Sequence, residues 1–257
     1  MHNLQQFLEA KVKIFNQKSF IINDPISIPH LFTLKQDIEI AGLFAALFAW
    51  GGRTTIINKS KTLLQLMHYK PYQFICNFTD TDLKPFTTFK HRTFTNIDIM
   101  YLLEFLQHYY STNNSLEHLF NFGLTTNSPN IKQGLIHFKQ QVFSLPHAPK
   151  RTHKHISSPI SNSACKRLNM YLRWMVRSNK NGVDFGLWTT IKPAQLIIPL
   201  DLHVSREAKQ FGLLPNTNTN WTNAELLTNT LKQYDANDPV KFDFALFSLG
   251  AEEKYGG

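Results

Sequence analysis

Hydrophobic positions recur along this chain mainly at helical spacing. Leu4, Phe7, Leu8 and Val12 open an amphipathic helix. Over residues 20–33, Pro25 and Pro29 predict an extended connection. Residues 38–50 are apolar on nearly every face, which predicts a buried central helix. Gly51-Gly52 stops it, and Thr54 or Thr55 is placed to cap the next helix, along which Ile56, Ile57, Leu63, Leu64 and Met67 recur. Residues 98–110, with Asn96 as a cap, 115–122 and 131–143 read as further helices. Strict alternation is scarce, so the fold class is mostly α, with one short hairpin around 86–94 as the strand candidate. Residues 144–161 carry prolines at 146, 149 and 159 and no apolar period, which marks a hinge.

Composition changes this picture in one respect. The chain has 257 residues, with 27 Lys+Arg against 18 Asp+Glu, a formal charge of +9. Charged residues make up 18%, below the ~25% usual for soluble proteins. The positive balance therefore comes from missing acids. It excludes an acidic solvating protein and points to a polyanionic partner. Cys76 and Cys165 are too few for a disulfide framework, a cysteine-rich zinc site or a four-cysteine iron–sulfur cluster. The N-terminus lacks the apolar core of a signal peptide, and the longest uncharged apolar run, 40–52, falls short of the ~20 residues of a bilayer span. We expect a soluble, cytoplasmic monomer with no membrane association, metal or cofactor.

The missing acids are localised. Residues 118–183 contain no Asp or Glu, while Lys150, Arg151, Lys154, Lys166, Arg167, Arg173, Arg177 and Lys180 crowd into one part of that stretch. Without acids to form i,i+4 pairs, these cations read as a phosphate-binding surface. An ordinary solvated basic face is the simpler alternative. Within it, residues 164–177 form a strong helix with Leu168, Tyr171, Leu172 and Met175 as core stripe and Lys166, Met170, Arg173 and Arg177 on another face. Ser163 is positioned to cap this helix, which puts Lys166 in its first turn. There the helix dipole opposes a cation and favours the free amine that a Schiff-base nucleophile needs. Further on, Asp201 follows Pro199-Leu200 and is placed to cap a helix over 202–211 closed by Gly212. A capping carboxylate stays ionised and suits a developing cation. His203, in the first turn, is expected to pack.

Ser163-Ala164-Cys165-Lys166 together with Pro199-Leu200-Asp201-Leu202-His203-Val204-Ser205-Arg206 resembles the paired motif of the helix-hairpin-helix DNA glycosylase superfamily. In its bifunctional members, such as endonuclease III and the 8-oxoguanine glycosylases, the lysine attacks C1′ of the damaged nucleotide and a helix-capping aspartate assists. Residues 242–250, FDFALFSLG, resemble a late helix of these enzymes, and 44–59 matches the place where they probe the duplex near the lesion. The whole chain also resembles an uncharacterised bacterial family of about this length with the signature S-A-C-K-R-L-N-x-x-L-R-W-M-V-R, close to the archaeal 8-oxoguanine glycosylases. The chain departs from the superfamily where Ile160-Ser161-Asn162-Ser163 replaces a glycine-bearing hairpin, and in the spacing of Lys166 and Asp201, 35 residues apart.

The resemblance implies a mostly α, two-lobed glycosylase-like architecture with a cleft between lobes, one lobe over about 36–180 and the other over 1–35 plus 185–257. It implies a DNA glycosylase with AP-lyase activity on an oxidised base such as 8-oxoguanine, without a cofactor. Lys166 and Asp201 would be catalytic. Lys150, Arg151, Lys154, Ser163, Arg167, Arg173 and Arg177 would hold DNA. Trp50, Arg53, Trp174 and Trp188, with Phe44 or Phe48, are candidates for the base pocket or duplex probe. Two other readings stay open: a non-catalytic nucleic-acid-binding module of the same fold, and a scaffold binding a phosphorylated small ligand.

Overall fold

A computed structural model describes residues 2–252 of the chain. In chain order the α-helices are α1 (His2–Phe15), α2 (Lys35–Leu47), α3 (Arg53–Leu66), α4 (Pro71–Asn77), α5 (Asn96–Tyr110), α6 (Glu117–Asn121), α7 (Lys132–Val142), α8 (Lys166–Val176), α9 (Leu202–Gln210), α10 (Trp221–Lys232) and α11 (Asp243–Glu252). Among the described residues the only sheet is an antiparallel pair, β1 (Lys90–His91) and β2 (Phe94–Thr95), with Lys90 opposite Thr95 and His91 opposite Phe94. The chain is thus mostly helical, and the hairpin lies at the C-terminal edge of the stretch where the sequence places one. No helix among the described residues is long and apolar enough to cross a membrane.

The backbone divides into two compact units. One comprises Asn23–Phe122 and Ile136–Ser157, the other Met1–Ile22, Gly123–Leu135 and Ser158–Gly257. The segment 144–161 therefore carries the chain across a unit boundary. It is not an unstructured link, since Lys150–His155 forms a 3₁₀ turn in which Thr152 and His155 are buried.

In the first of these units α2 is the central element. Every residue from Ile38 to Leu47 is buried, as a pattern apolar on nearly every face requires. The one acid in that run, Glu39, is fully buried and completely engaged. The Ser115 hydroxyl donates to it at 2.6 Å, the Leu116 amide at 3.0 Å and the Tyr110 hydroxyl at 3.1 Å. A buried carboxylate survives only with such partners. Phe48, just past α2, meets Phe44, Phe89, His91 and Phe94 at centroid distances of 5.1–6.1 Å. Phe44 and Phe48 are therefore core residues and not available for base stacking.

Local signals differ from expectation in three places. The extended connection over 20–33 is a succession of 3₁₀ turns (Lys18–Asn23, Pro25–Ser27, Pro29–Leu31), two of them with proline at the start, where its fixed φ fits. The cap of α3 is Gly52, not Thr54 or Thr55. The cap of α5 is Thr95, not Asn96, because Asp98 at the third helical position accepts the Thr95 amide at 2.8 Å and completes a capping box.

In the second unit α8 lies in the core, α11 packs on α9, and α1 packs on α11. Gly250 serves the α11–α9 contact: a Cβ there would come within 3.1 Å of the His203 Cβ. His203 thus packs, as its sequence context suggests.

Candidate functional site

The site is built on two helix N-termini within one unit. Asp201 has extended backbone and precedes α9; its Oδ1 accepts the His203 amide at 2.9 Å and the Val204 amide at 3.0 Å. That satisfies two of the otherwise unpaired amides of the first turn. The second oxygen is left free to face elsewhere, and Lys166 Nζ lies 3.5 Å from it. This is ion-pair spacing, longer than the ~2.7–2.9 Å of a charge-assisted hydrogen bond. Both side chains are partly accessible, 28% for Lys166 and 22% for Asp201. A reacting molecule can therefore reach the amine.

Lys166 is the first residue of α8, but the cap differs from expectation. Cys165, in the left-handed region at φ 50°, occupies the cap position and gives no side-chain hydrogen bond to the helix. Ser163 instead accepts the Cys165 amide at 3.2 Å, outside the helix. The first turn of α8 therefore carries neither a capping side chain nor an acid. Upstream, the Pro159–Ser161 turn ends at Asn162, also left-handed at φ 54°. Asparagine tolerates that conformation better than most residues with a Cβ. The turn is thus held without glycine. The Asn162 carbonyl accepts the Trp221 amide at 3.0 Å, and its side-chain oxygen accepts from the Thr222 amide at 3.3 Å, tying this turn to the start of α10.

Behind Lys166, α8 carries a buried charge network that corrects the sequence reading. Arg173 and Arg177 were expected on a phosphate-binding face, yet they are only 3% and 5% exposed. Arg173 pairs with Asp243 and lies 3.4 Å from Asp184; Arg177 pairs with Asp184. Arg177 also holds Asp238 bidentately, with both nitrogen–oxygen distances at 2.8 Å. Phe244 lies 4.4 Å from the Arg173 guanidinium and 5.4 Å from that of Arg177. These arginines are occupied by carboxylates and cannot hold a DNA backbone. Their partners lie outside the acid-free stretch in sequence and return to it in the fold. Burial alone would lower the pKa of Arg177, but Asp184 and Asp238 outweigh it and raise it. The Asp243 carboxyl is pushed up to about 6: burial raises it most, Arg173 and Lys166 oppose that, and the Asp201 charge adds to it. Asp243 therefore senses the charges of the Lys166–Asp201 pair.

Trp174 and Trp188 also belong to the core, at 0% and 2% exposure. Trp188 packs edge-on against Tyr171 with centroids 5.4 Å apart. The Phe185 and Trp188 amides donate to the carbonyls of Trp174 and Met175, which folds the chain back along α8. Neither ring faces a base pocket. The expected two-faced α8 is instead buried along Leu168–Val176 on all sides. Arg167 is partly exposed, and burial lowers its pKa.

In the other unit, Lys150 and Lys154 are exposed. Arg151 is tied at 3.2 Å both to Asp98 and to the Thr93 carbonyl, and its side chain remains 38% exposed. Asp98, fully buried, also accepts Thr152 at 2.8 Å and faces His155 at 3.4 Å. Burial pushes the Asp98 carboxyl up, but its hydrogen bonds to Thr95 and Thr152 and the charges of His155 and Arg151 bring it below the usual range. Trp50 is 55% exposed, and Arg53 opens α3 half-buried.

Asp243, Asp184, Asp238 and Asp98 all escaped the sequence reading. The available signal was weak: Asp184 and Asp243 each stand next to a phenylalanine in an acid-poor chain, while Asp238 sits in a short acidic run with Asp235. Among the described residues no group of three or more His, Cys, Asp or Glu is placed to hold a metal.

Comparison with curated proteins and with solved structures gives no match. A family model does match over residues 24–252, most of the chain, so the chain belongs to the family described as protein of unknown function (DUF2400).

Proposed function

We propose that this protein is a DNA glycosylase with AP-lyase activity, acting on an oxidised base such as 8-oxoguanine. The observation that carries the reading is the Lys166 amine 3.5 Å from an Asp201 oxygen not used in capping, in a partly open position. The two residues are those that match the paired motif of the helix-hairpin-helix glycosylases, and the fold brings them together across 35 residues of sequence.

The target nucleotide leaves the base stack first, since its glycosidic bond is out of reach inside a duplex. Lys166, as free amine, attacks C1′, and the base departs with the glycosidic electron pair. Asp201 stabilises the positive charge that develops on the sugar and takes the proton the lysine must lose. Opening of the sugar ring gives a Schiff base between Lys166 and C1′. Loss of a proton from C2′ then expels the 3′-phosphate by β-elimination, and water releases the enzyme. Lys150 and Lys154 are exposed and are the cations of the acid-free stretch that fit phosphate, because Arg173 and Arg177 are consumed by the core.

Sodium borohydride reduces a Schiff base to a stable amine. Incubation with oligonucleotides carrying 8-oxoguanine or an abasic site should give a covalent adduct that Lys166→Gln abolishes. No adduct, with salt-dependent DNA binding unaffected by Lys166→Gln, would instead establish a binding module without chemistry.

A further inference from the structure

A cavity of about 300 Å³, where the C-terminal end of α5 meets α6 and α7, has no part in the chemistry above. Every residue lining it belongs to the unit built on α2, whereas Lys166 and Asp201 lie in the other unit. Three histidines line it, one from each helix: His108, His118 and His137. Gln141 adds a side-chain amide, and Phe105 and Leu119 supply apolar wall. A second groove, of about 400 Å³, shares Thr112, Asn113 and His118 with the cavity. No Asp or Glu is among the residues lining either. The acids next to them in sequence are engaged elsewhere. Glu104 lies 2.9 Å from His147, and Glu117 is buried with Lys35 at 4.0 Å.

His137 is held on two sides. Its Nδ1 lies 2.9 Å from the Leu119 carbonyl, which can only accept, so Nδ1 carries a proton. Phe122 stacks on the ring, with centroids 4.1 Å apart and planes at 14°. Phe122 is 63% exposed, so its ring serves the imidazole more than the core. Nε2 is left as the available polar atom of His137. His108 stands in the last turn of α5, where the helix dipole favours a cation. Tyr109, the other titratable residue of the lining, donates its hydroxyl to the Ser115 carbonyl at 3.0 Å; burial first and then Glu39 raise its pKa, so it stays neutral. The three imidazoles are not grouped as ligands of a metal. Imidazole is the side chain that gains its charge between about pH 5 and 8, and three of them with no acid beside them suit an oxyanion. The formal charge of +9 draws anions to the molecule. The volume matches the small end of ligand pockets, ~300–1,000 Å³, and an enclosed recess selects a small molecule over a polymer backbone. We propose that this cavity binds a small organic oxyanion, a phosphate ester, with its charged head held by His108, His118 and His137 and its body against Phe105 and Leu119. The inference does not rest on the glycosylase reading.

Nuclear magnetic resonance of the imidazole nitrogens reads the site directly, with each ring signal assigned by its own glutamine substitution. The full chain is titrated with ribose 5-phosphate, with uncharged ribose and with inorganic sulfate. Ribose 5-phosphate should move the His108, His118 and His137 signals together and saturably, and ribose should not. Sulfate keeps its double charge across the neutral range, so its binding reports the protein's protonation alone. It should weaken about tenfold from pH 6 to pH 8 as the imidazoles lose their protons. His108 and His118 are exposed, and circular dichroism checks that their variants stay folded. His118→Gln should weaken ribose 5-phosphate about tenfold, with His137→Gln as the second variant. Lys166→Gln should bind like the parent. Equal shifts with ribose, sulfate binding that ignores pH, or unchanged affinity in both histidine variants would overturn the proposal. Loss of binding in Lys166→Gln would move the ligand to the other unit and overturn it too. Displacement of ribose 5-phosphate by oligothymidylate at equal phosphate concentration would give the site to a nucleic-acid backbone and sink the small-ligand assignment. A borohydride adduct without these shifts would leave the glycosylase reading standing and this one refuted. Shifts without an adduct would do the reverse.

Discussion

Asp201 divides its carboxylate between two tasks: Oδ1 accepts the amides of His203 and Val204, while Oδ2 faces Lys166 at 3.5 Å. The same side chain thus fixes the start of α9 and sets a negative charge beside the one candidate nucleophile. The two tasks respond differently to substitution. Asparagine caps a helix as well as aspartate does, so Asp201→Asn should keep stability within about 0.5 kcal/mol. Alanine removes the cap and should cost about 1 kcal/mol. Both should lower lyase turnover by about 100-fold or more, because the neutral side chain neither stabilises the cationic sugar nor accepts the lysine proton. Thermal unfolding beside single-turnover cleavage separates the effects. Unchanged turnover in Asp201→Asn would reduce Asp201 to a cap.

Arg177 tests the correction to the charge pattern. It is 5% exposed and satisfies Asp184 and Asp238 together. Removing it strands a buried carboxylate, so Arg177→Ala should destabilise by about 3–5 kcal/mol in urea unfolding. DNA affinity, measured under conditions where the variant is folded, should not change. A stable variant with weakened, less salt-dependent binding would restore Arg177 to the interface.

Asp243 gives a pH signature. Its carboxyl is raised to about 6 by burial first, with Asp201 adding and Arg173 and Lys166 opposing, against about 3.9 in an unfolded chain. The folded state therefore holds more protons between these values, and stability falls as pH rises through them. Below about 4 the group is protonated in both states and its contribution is fully present. The loss across the window is on the order of 2–3 kcal/mol. Asp243→Asn should remove that slope, so the stability difference between variant and parent should shift in favour of the variant from pH 4 to pH 6. Parallel pH profiles for the two proteins would show that Asp243 titrates normally.

Much of the helical plan is readable from the chain. The apolar run of α2, the stop at Gly51-Gly52 and the Asp201 cap all follow from local chemistry, which acts over a few residues. The faces of α8 do not. An arginine on a helix reads as solvent-facing unless its partners are visible, and Asp184, Asp238 and Asp243 lie up to 70 residues away. The absence of neighbouring acids therefore says nothing about long-range ones. Trp174 and Trp188 escaped for a related reason: aromatic type alone does not distinguish a pocket wall from a core residue. Lys166 was found because its motif partner, not its own surroundings, singles it out. The 3.5 Å contact adds what sequence cannot supply, that the two motifs meet.

The most direct test is the position of the trapped bond. Borohydride reduction in the presence of an oligonucleotide bearing 8-oxoguanine or an abasic site, followed by proteolysis and mass spectrometry, should find the reduced sugar on the peptide containing Lys166. Lys166→Gln should yield none. A modification spread over other lysines, or no adduct with either substrate, would contradict the assignment of Lys166 as the nucleophile.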